Sequence, residues 1–434
     1  MLYLALILLS LLPWVSCFTF MAEWKLPSFK QDTKPYEAKF GDKKICIITG
    51  TSSGLGKHTT KSLLASGEFH VIGAVRDLDK MAIVAEEEGF NMENFTPMEI
   101  DLTSFESVRS FSKNAIDFLE GKPIDRLVCN AAVYQPTLPE PKYTVDDIEC
   151  QMQTNYLSHF LLVSLLLPEV RKAKASRIIT VGSVTGNDNT VGGGGVYPIA
   201  DLRDLDGLME GAKRPVSMID GYNFNGAKAY KDTKLALMMF SNMLHERYHR
   251  ATGIAFSSIY PGCIAESPLF REKRPWFRKY FPVFMKYITG GYVSEPEAGT
   301  RLSQVVQDLR CTKSGVYWSW NGGPRQGRGD SLKTDGQIMG GGGSGGDSDS
   351  IYENDQSDKV KDVDKMTLLW QLSTKVTGAE WMPAKAAVSP CPTLKVIGFI
   401  TNLLDRREKT LKEKQSPRAA RSMSDFLNGG GRLA

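Results

Sequence analysis

Histidine is scarce in this 434-residue chain: the five are scattered, none falls at metal-ligand spacing, and no metal site is expected. Net charge is small as well. The 53 Lys+Arg against 49 Asp+Glu leave +4, too little to argue for nucleic acid, and no recognition fold accompanies it. Seven cysteines, at 17, 46, 129, 150, 263, 311 and 391, form no regular framework. Cys46 and Cys129 fall on predicted core strands, which argues for a reducing compartment rather than a disulfide scaffold. A membrane-spanning apolar run is also missing. Residues 1–17 are strongly apolar but too short for a span, and they read as a signal-peptide core ending in Val15-Ser-Cys17, without a basic n-region. What is present, 42% hydrophobic and 24% charged residues, is the composition of a soluble globular protein with room for one large α/β domain plus extras.

From 43 to about 320 short apolar β-type runs alternate with amphipathic helical stretches. This predicts an α/β fold: a doubly wound parallel seven-stranded sheet of Rossmann type, in a single domain with a C-terminal extension. Strands are expected near 44–49, 70–75, 96–100, 126–129, 177–182, 254–259 and 315–318. The first ends at Gly50 and runs into Thr51-Ser52-Ser53-Gly54-Leu55-Gly56 before a helical pattern opens. Strand, glycine turn and helix start make a pyrophosphate cradle, in which glycine lets the backbone approach and the helix N-terminus offers free N–H groups. The Gly-x3-Gly-x-Gly spacing is the form used by short-chain dehydrogenases/reductases. Arg76 closes the second strand twenty residues after Gly56, where an acidic residue would bind the ribose of NAD. Arg76 with Lys80 suits a 2′-phosphate, hence NADPH, while the neighbouring Asp77 reads as the cap of the next helix. Asp101 and Leu102 are expected by the adenine, and Asn130 and Ala131 beside the cofactor.

Tyr230 and Lys234 stand four residues apart in Gly226-Ala-Lys-Ala-Tyr-Lys-Asp-Thr-Lys234 and share one helix face. A cation held that close favours the phenolate, which would let Tyr230 give or take a proton near neutral pH. Asn155, on a long helix expected near 145–172, is expected to widen that helix and hold a water in a proton relay. Ser183 follows the fifth strand, where a hydroxyl can bond a substrate carbonyl or polarise Tyr230. The long loop from 185 to 225 is expected to cover the substrate. The Gly/Ser/Asp-rich stretch 322–350 reads as a mobile loop insertion. Residues 358–376 look helical, and 377–434 form an extension whose stretch 394–404 is amphipathic, followed by basic residues.

Four further runs narrow the reading: Leu127-Val-Cys-Asn-Ala-Ala-Val-Tyr134, Met218-Ile-Asp-Gly221, Ser258-Ile-Tyr-Pro-Gly-Cys-Ile-Ala265 with Pro268-Leu-Phe-Arg271, and Ser314-Gly-Val-Tyr-Trp-Ser-Trp-Asn321. With the Tyr230 segment, they make residues 43–376 resemble the light-dependent protochlorophyllide oxidoreductases. That resemblance implies reduction of protochlorophyllide to chlorophyllide, with hydride from NADPH reaching C17 after light absorption and a proton reaching C18. It implies Tyr230 as proton donor, Lys234 on the nicotinamide ribose, Cys263 in proton supply or pigment binding, and Pro261 and Gly262 against the cofactor. Gln135 and Tyr156 depart from the family pattern of an apolar residue and a histidine, and Ala236 replaces a second cysteine.

Two other readings stand beside this one: a dark NADPH-dependent carbonyl reductase acting on a lipid or retinoid, and a non-catalytic pigment–NADPH binding protein. Aromatic and basic residues interleave through 270–292, which suits a flap over the pigment that also touches a plastid membrane surface or a second subunit; the alternative is a plain core helix. A signal-like leader on a protein with reduced-looking cysteines is a conflict. It resolves if the protein enters the plastid (chloroplast) through the secretory route, as in algae with complex plastids, with cleavage before Phe18 and a transit segment over 18–42. An endoplasmic-reticulum anchor is the alternative.

Overall fold

The computed structural model describes residues 35–289, 291–320, 333–334, 337–338 and 348–383. The leader, most of the transit segment, most of the glycine-rich insertion and the amphipathic stretch 394–404 lie outside the described residues. Residues before Asp42 belong to a separate unit, whose described residues include one short helix, Pro35–Phe40.

From Asp42 onward, strand and helix alternate. β1 (Lys44–Thr49), α1 (Gly54–Ser66), β2 (Phe69–Val75), α2 (Leu78–Glu88), β3 (Phe95–Glu99), α3 (Phe105–Leu119) and β4 (Arg126–Cys129) form the first half. A π-helical turn, Met152–Leu157, then runs into α4 (Ser158–Val170), followed by β5 (Arg177–Val181), α5 (Gly226–Leu244) and β6 (Ala255–Ile259). α6 (Pro275–Phe284), α7 (Glu295–Gln307), β7 (Val316–Trp320), β8 (Ile351–Asn354) and α8 (Val363–Thr377) follow among the described residues. The sheet order is β8-β7-β6-β5-β4-β1-β2-β3. Seven strands are parallel, as the sequence predicts, and an eighth, β8, adds antiparallel at the β7 edge, where Ile351 pairs with Trp320.

Central strands are apolar on both sides because both faces are covered. Ile45 and Ile47 point one way, Cys46 and Ile48 the other, and all four are fully buried. α1, α2 and α7 pack on one face through Leu63, Met81 and Leu302, and α3, α4, α5 and α8 cover the other. Close packing of α7 on α1 depends on Gly299, where a Cβ would stand 2.4 Å from the His58 Cβ.

Three sequence expectations need adjusting. Helical geometry begins at Cys150 rather than near 145, because residues 143–149 are held as a loop by β-bridges from Tyr143 to Glu149 and from Ile148 to Lys213. Packing also continues beyond 376. The Trp381 ring lies 4.2 Å from that of Trp370 and 4.9 Å from that of Phe160, and the Tyr248 hydroxyl donates to the Met382 carbonyl. Finally, α6 is no core helix, since none of its residues is buried.

Candidate active site

β1 and β4 are neighbours whose following helices leave in opposite directions, so a crevice opens at their C-terminal ends. Thr49, the last residue of β1, organises it. Its hydroxyl oxygen accepts the N–H groups of Asn130 (2.9 Å) and Ala131 (3.0 Å), and the Asn130 amide donates back to the Thr49 and Gly50 carbonyls. Gly50 (φ +77°) and Gly54 (φ +54°) adopt the left-handed backbone that favours glycine. A Cβ at Gly56 would stand 2.2 Å from the Gly50 carbonyl oxygen. The turn is therefore closed tightly over the start of α1, where the Ser53 side chain makes no capping bond and Ser52 and Leu55 are half-buried.

Arg76 and Lys80 are exposed at the end of β2, and Asp77 caps α2 by accepting the Lys80 N–H at 2.8 Å. A cationic group at that strand end, beside a glycine turn that a side chain would block, fits a dinucleotide bearing a 2′-phosphate. Asp101 accepts from the Thr103 N–H and hydroxyl, and the Leu102 carbonyl accepts from Ser158, which fixes the β3 corner of the crevice. Gly262 has φ +113°, and the Pro261 carbonyl accepts from Arg301 at 2.9 Å.

The π-helical turn carries Asn155. Its side chain accepts the Val133 N–H (2.8 Å) and donates to the Val133 carbonyl (2.9 Å) and the Thr233 hydroxyl (3.2 Å). Thr233 in turn donates to the Tyr230 carbonyl. One buried amide thus ties the loop after β4 to the helix that carries Tyr230 and Lys234. His159, one turn on, bonds the Asn155 carbonyl through Nδ1 and the Thr49 hydroxyl through Nε2. Burial pushes its pKa down to about 4, so it is neutral in the working range.

Lys234 lies buried under Tyr230, with Nζ 5.7 Å from the phenol ring centroid and donating to the Val181 carbonyl at 2.7 Å. The electrostatics correct the sequence expectation. Desolvation lowers Lys234 to about 8, and the Tyr230 phenol is raised, first by burial and then by the nearby Tyr134 and Cys263. Spacing points to a cation that favours the phenolate, whereas burial, the largest influence on Tyr230, acts the other way and favours the protonated phenol. Cys263 is also pushed up by burial, to about 12, so its thiol is protonated too. Ser183 is turned to Thr185, taking its N–H and bonding its hydroxyl at 2.9 Å; no hydrogen bond joins it to Tyr230 among the described residues.

Beyond Tyr230 the crevice is aromatic. The Tyr134 ring lies 4.6 Å from Tyr230 and 6.0 Å from Phe270, which leads on to Phe277 and Phe281. Sequence reasoning quoted Tyr134 only as part of a motif and missed Thr49, His159 and Thr233, whose roles come from contacts between distant segments. Two departures from the family pattern lie in the interior, and one of them finds a side-chain partner there. Tyr156 is fully buried and bonds Ser373 at 2.8 Å, while Gln135 is buried with its backbone N–H donating to the Gln151 side-chain oxygen and its own side-chain oxygen unpartnered. The loop from 185 to 225 is held to α5 by Lys228, which pairs with Asp220 (2.7 Å) and Asp232 (2.6 Å).

This sheet, with its glycine crevice and its buried Tyr-x3-Lys pair, defines a short-chain dehydrogenase, and residues 44–199 match the family described as short chain dehydrogenase. Curated relatives narrow the class. The chain is 46% identical to "Protochlorophyllide reductase, chloroplastic" of Chlamydomonas reinhardtii over 77% of its length and 78% of the relative's. It is 48% identical to the protein of that name from Daucus carota (76% and 77% covered) and 47% identical to that from Cucumis sativus (76% and 77%). The chain belongs to the protochlorophyllide reductase family, as an NADPH-dependent oxidoreductase.

Proposed function

We propose that the chain reduces the C17–C18 double bond of protochlorophyllide to give chlorophyllide, in light, with Tyr230 supplying the proton. The observation that carries this reading is the juxtaposition of a buried, protonated phenol with an aromatic wall, Tyr134 and Phe270, on one side and the dinucleotide crevice on the other. Relatives named for this substrate along most of the chain support it. NADPH, when bound, supplies the hydride.

The protein's part is alignment, dryness and the proton. The Thr49–Asn130–Ala131 bonds set the floor of the cofactor crevice, and Arg76 and Lys80 offer charge for the 2′-phosphate. Tyr230 stays protonated at neutral pH because it is buried. The substrate carbon that gains electron density on hydride addition is a stronger base than a phenolate, so transfer from Tyr230 is downhill even with a raised pKa. Lys234 beneath the ring then offsets the negative charge left on it. Light is required because hydride transfer to the conjugated ground-state macrocycle is difficult, and excitation makes C17 a far better acceptor.

The chain acts in the plastid, as its relatives named chloroplastic do. We further propose that it arrives through the secretory route, on the strength of the apolar leader, and that it rests on the plastid membrane surface or against a second copy. Trp276 (60% exposed) and Ile288 (68% exposed), with Tyr280 and Phe284, stand on α6 and the turn after it among basic side chains, which supports such a contact. No helix among the described residues is long and apolar enough to cross a membrane.

The test is purified protein with NADPH and protochlorophyllide, followed by absorption before and after a flash. Chlorophyllide formed only after light supports the proposal. Equal turnover of a carbonyl substrate in darkness would make the chain a carbonyl reductase, and pigment binding without turnover would make it a binding protein.

A further inference from the structure

The two faces of the sheet differ beside α5. Val181, Ile259, Val316 and Trp318 turn to the α1 and α7 side and join an apolar core. Their neighbours turn to the α5 side and are polar. Thr180 of β5 pairs in register with Ser258 of β6, Ser258 with Tyr317 of β7, and Tyr317 with Asn354 of β8. Register partners share a face, so these four side chains form one row across the sheet. All four are buried, and the Thr180, Ser258 and Tyr317 hydroxyls and the Asn354 amide oxygen have no hydrogen-bond partner among the described residues. Buried polar atoms of this kind cost free energy unless water reaches them. The row approaches the lysine of the site. A Cβ on Gly182 would stand 3.2 Å from Met238 of α5 and 3.5 Å from Tyr317 Cε2, the carbon next to the one that bears the hydroxyl, so the phenol leans across β6 to the end of β5. There the Val181 carbonyl accepts from the Lys234 ammonium at 2.7 Å. At its other end the row meets the edge strand, where Asn354 is followed by exposed Asp355. Asn155, where the sequence predicts a relay water, is taken up by protein: its amide donates to Val133 and Thr233, and its backbone carbonyl is bonded by His159.

We propose that Thr180, Ser258 and Tyr317 hold a file of water beneath α5, and that this file returns a proton to Lys234, and through it to Tyr230, after each reduction. This rests on the reductase reading above. Neighbouring strands lie about 4.8 Å apart, too far for the Thr180 and Ser258 hydroxyls to bond directly across straight side chains and the right span for one bridging water. The protons balance. Tyr230 gives its O–H proton to the substrate carbon, and the Lys234 ammonium gives an N–H proton to the phenolate left behind. A water of the file then protonates the Lys234 amine, and the hydroxide so formed is neutralised by a proton passed along the file from solvent at the β8 edge. One proton is taken from bulk for each pigment reduced. Burial lowers Lys234 to about 8, which makes its ammonium a readier donor than an exposed lysine.

The test flashes protein loaded with NADPH and protochlorophyllide in weakly buffered solution, with chlorophyllide followed by its absorption and proton uptake by a pH-indicator dye. Tyr317→Phe and Ser258→Ala should form chlorophyllide on the first flash at the wild-type rate, because Tyr230 already holds its proton, and should take up the proton from bulk about 10-fold or more slowly. In a path in series, the double variant should be no slower than the slower single one. The Tyr317 hydroxyl has no protein partner, so an unaltered urea midpoint is expected in Tyr317→Phe and certifies its fold; Ser258→Ala carries the test if that midpoint falls. Proton uptake at the wild-type rate in a folded single variant overturns the file. So does a high-resolution crystal structure in which no ordered water bonds the Thr180, Ser258 and Tyr317 hydroxyls. If wild type forms no chlorophyllide under a flash, the reductase reading fails by itself, and the water positions still decide whether the file exists.

Discussion

Replacing Asn155 with alanine removes the link between the cofactor-side loop and the Tyr230 helix. The side chain makes three hydrogen bonds, two to the Val133 backbone and one to Thr233, and is fully buried. Each such bond contributes about 1 kcal/mol net, and orphaning the Val133 N–H and C=O adds a desolvation cost, so Asn155→Ala should lose about 2–4 kcal/mol. That is a large share of the roughly 5–15 kcal/mol that holds a domain folded. The backbone carbonyl of Asn155, which bonds His159, survives the change, so the π-helical turn should persist and the loop 130–134 should loosen. Urea unfolding reads the first effect as a lower midpoint at unchanged slope. Single-flash turnover at saturating NADPH and pigment reads the second as a proton-addition step slowed about tenfold or more. A stability loss under about 1 kcal/mol with an unaltered rate would refute the claim that this amide joins the two halves of the site.

Arg76→Ala should weaken NADPH about 10-fold to 100-fold while leaving NADH nearly unaffected, measured by cofactor fluorescence titration; equal losses would mean that the 2′-phosphate is held elsewhere. Gly56→Ala places a methyl 2.2 Å from the Gly50 carbonyl and 2.7 Å from the Asn130 amide, so it should abolish cofactor binding before it unfolds the domain; wild-type affinity would contradict the tight-turn account. Glu149 is buried, with one carboxylate oxygen unpartnered, and burial raises its pKa to about 7 from 4.5. The folded state therefore binds more protons than the unfolded one between those values, and its contribution to stability is lost as pH rises through 7. Glu149→Gln should flatten that decline, gaining about 2–3 kcal/mol on wild type at pH 8 relative to pH 4.5; identical pH slopes in urea midpoints would contradict it.

The parts of the molecule that were legible in sequence are those set by neighbours in the chain. The apolar run ending at Gly50, the turn to Gly56 and the capping by Asp77 each depend on a few consecutive residues, and they stand where the pattern placed them. What stayed hidden is non-local. β8 is only four residues long and follows a glycine-rich stretch, and its strand character comes from pairing with Trp320 and Tyr317 rather than from its own pattern. For Tyr230, spacing reveals a cation four residues away but neither the burial that raises the phenol nor the turn of Lys234 toward Val181.

The most direct test is a single-turnover flash experiment on Tyr230→Phe beside wild type, both loaded with NADPH and protochlorophyllide, with NADPH oxidation and chlorophyllide formation followed separately. If Tyr230 is the proton donor, NADPH oxidation keeps its wild-type rate and chlorophyllide appears roughly 100-fold more slowly in the variant. Chlorophyllide forming at the wild-type rate without the phenol would contradict the account.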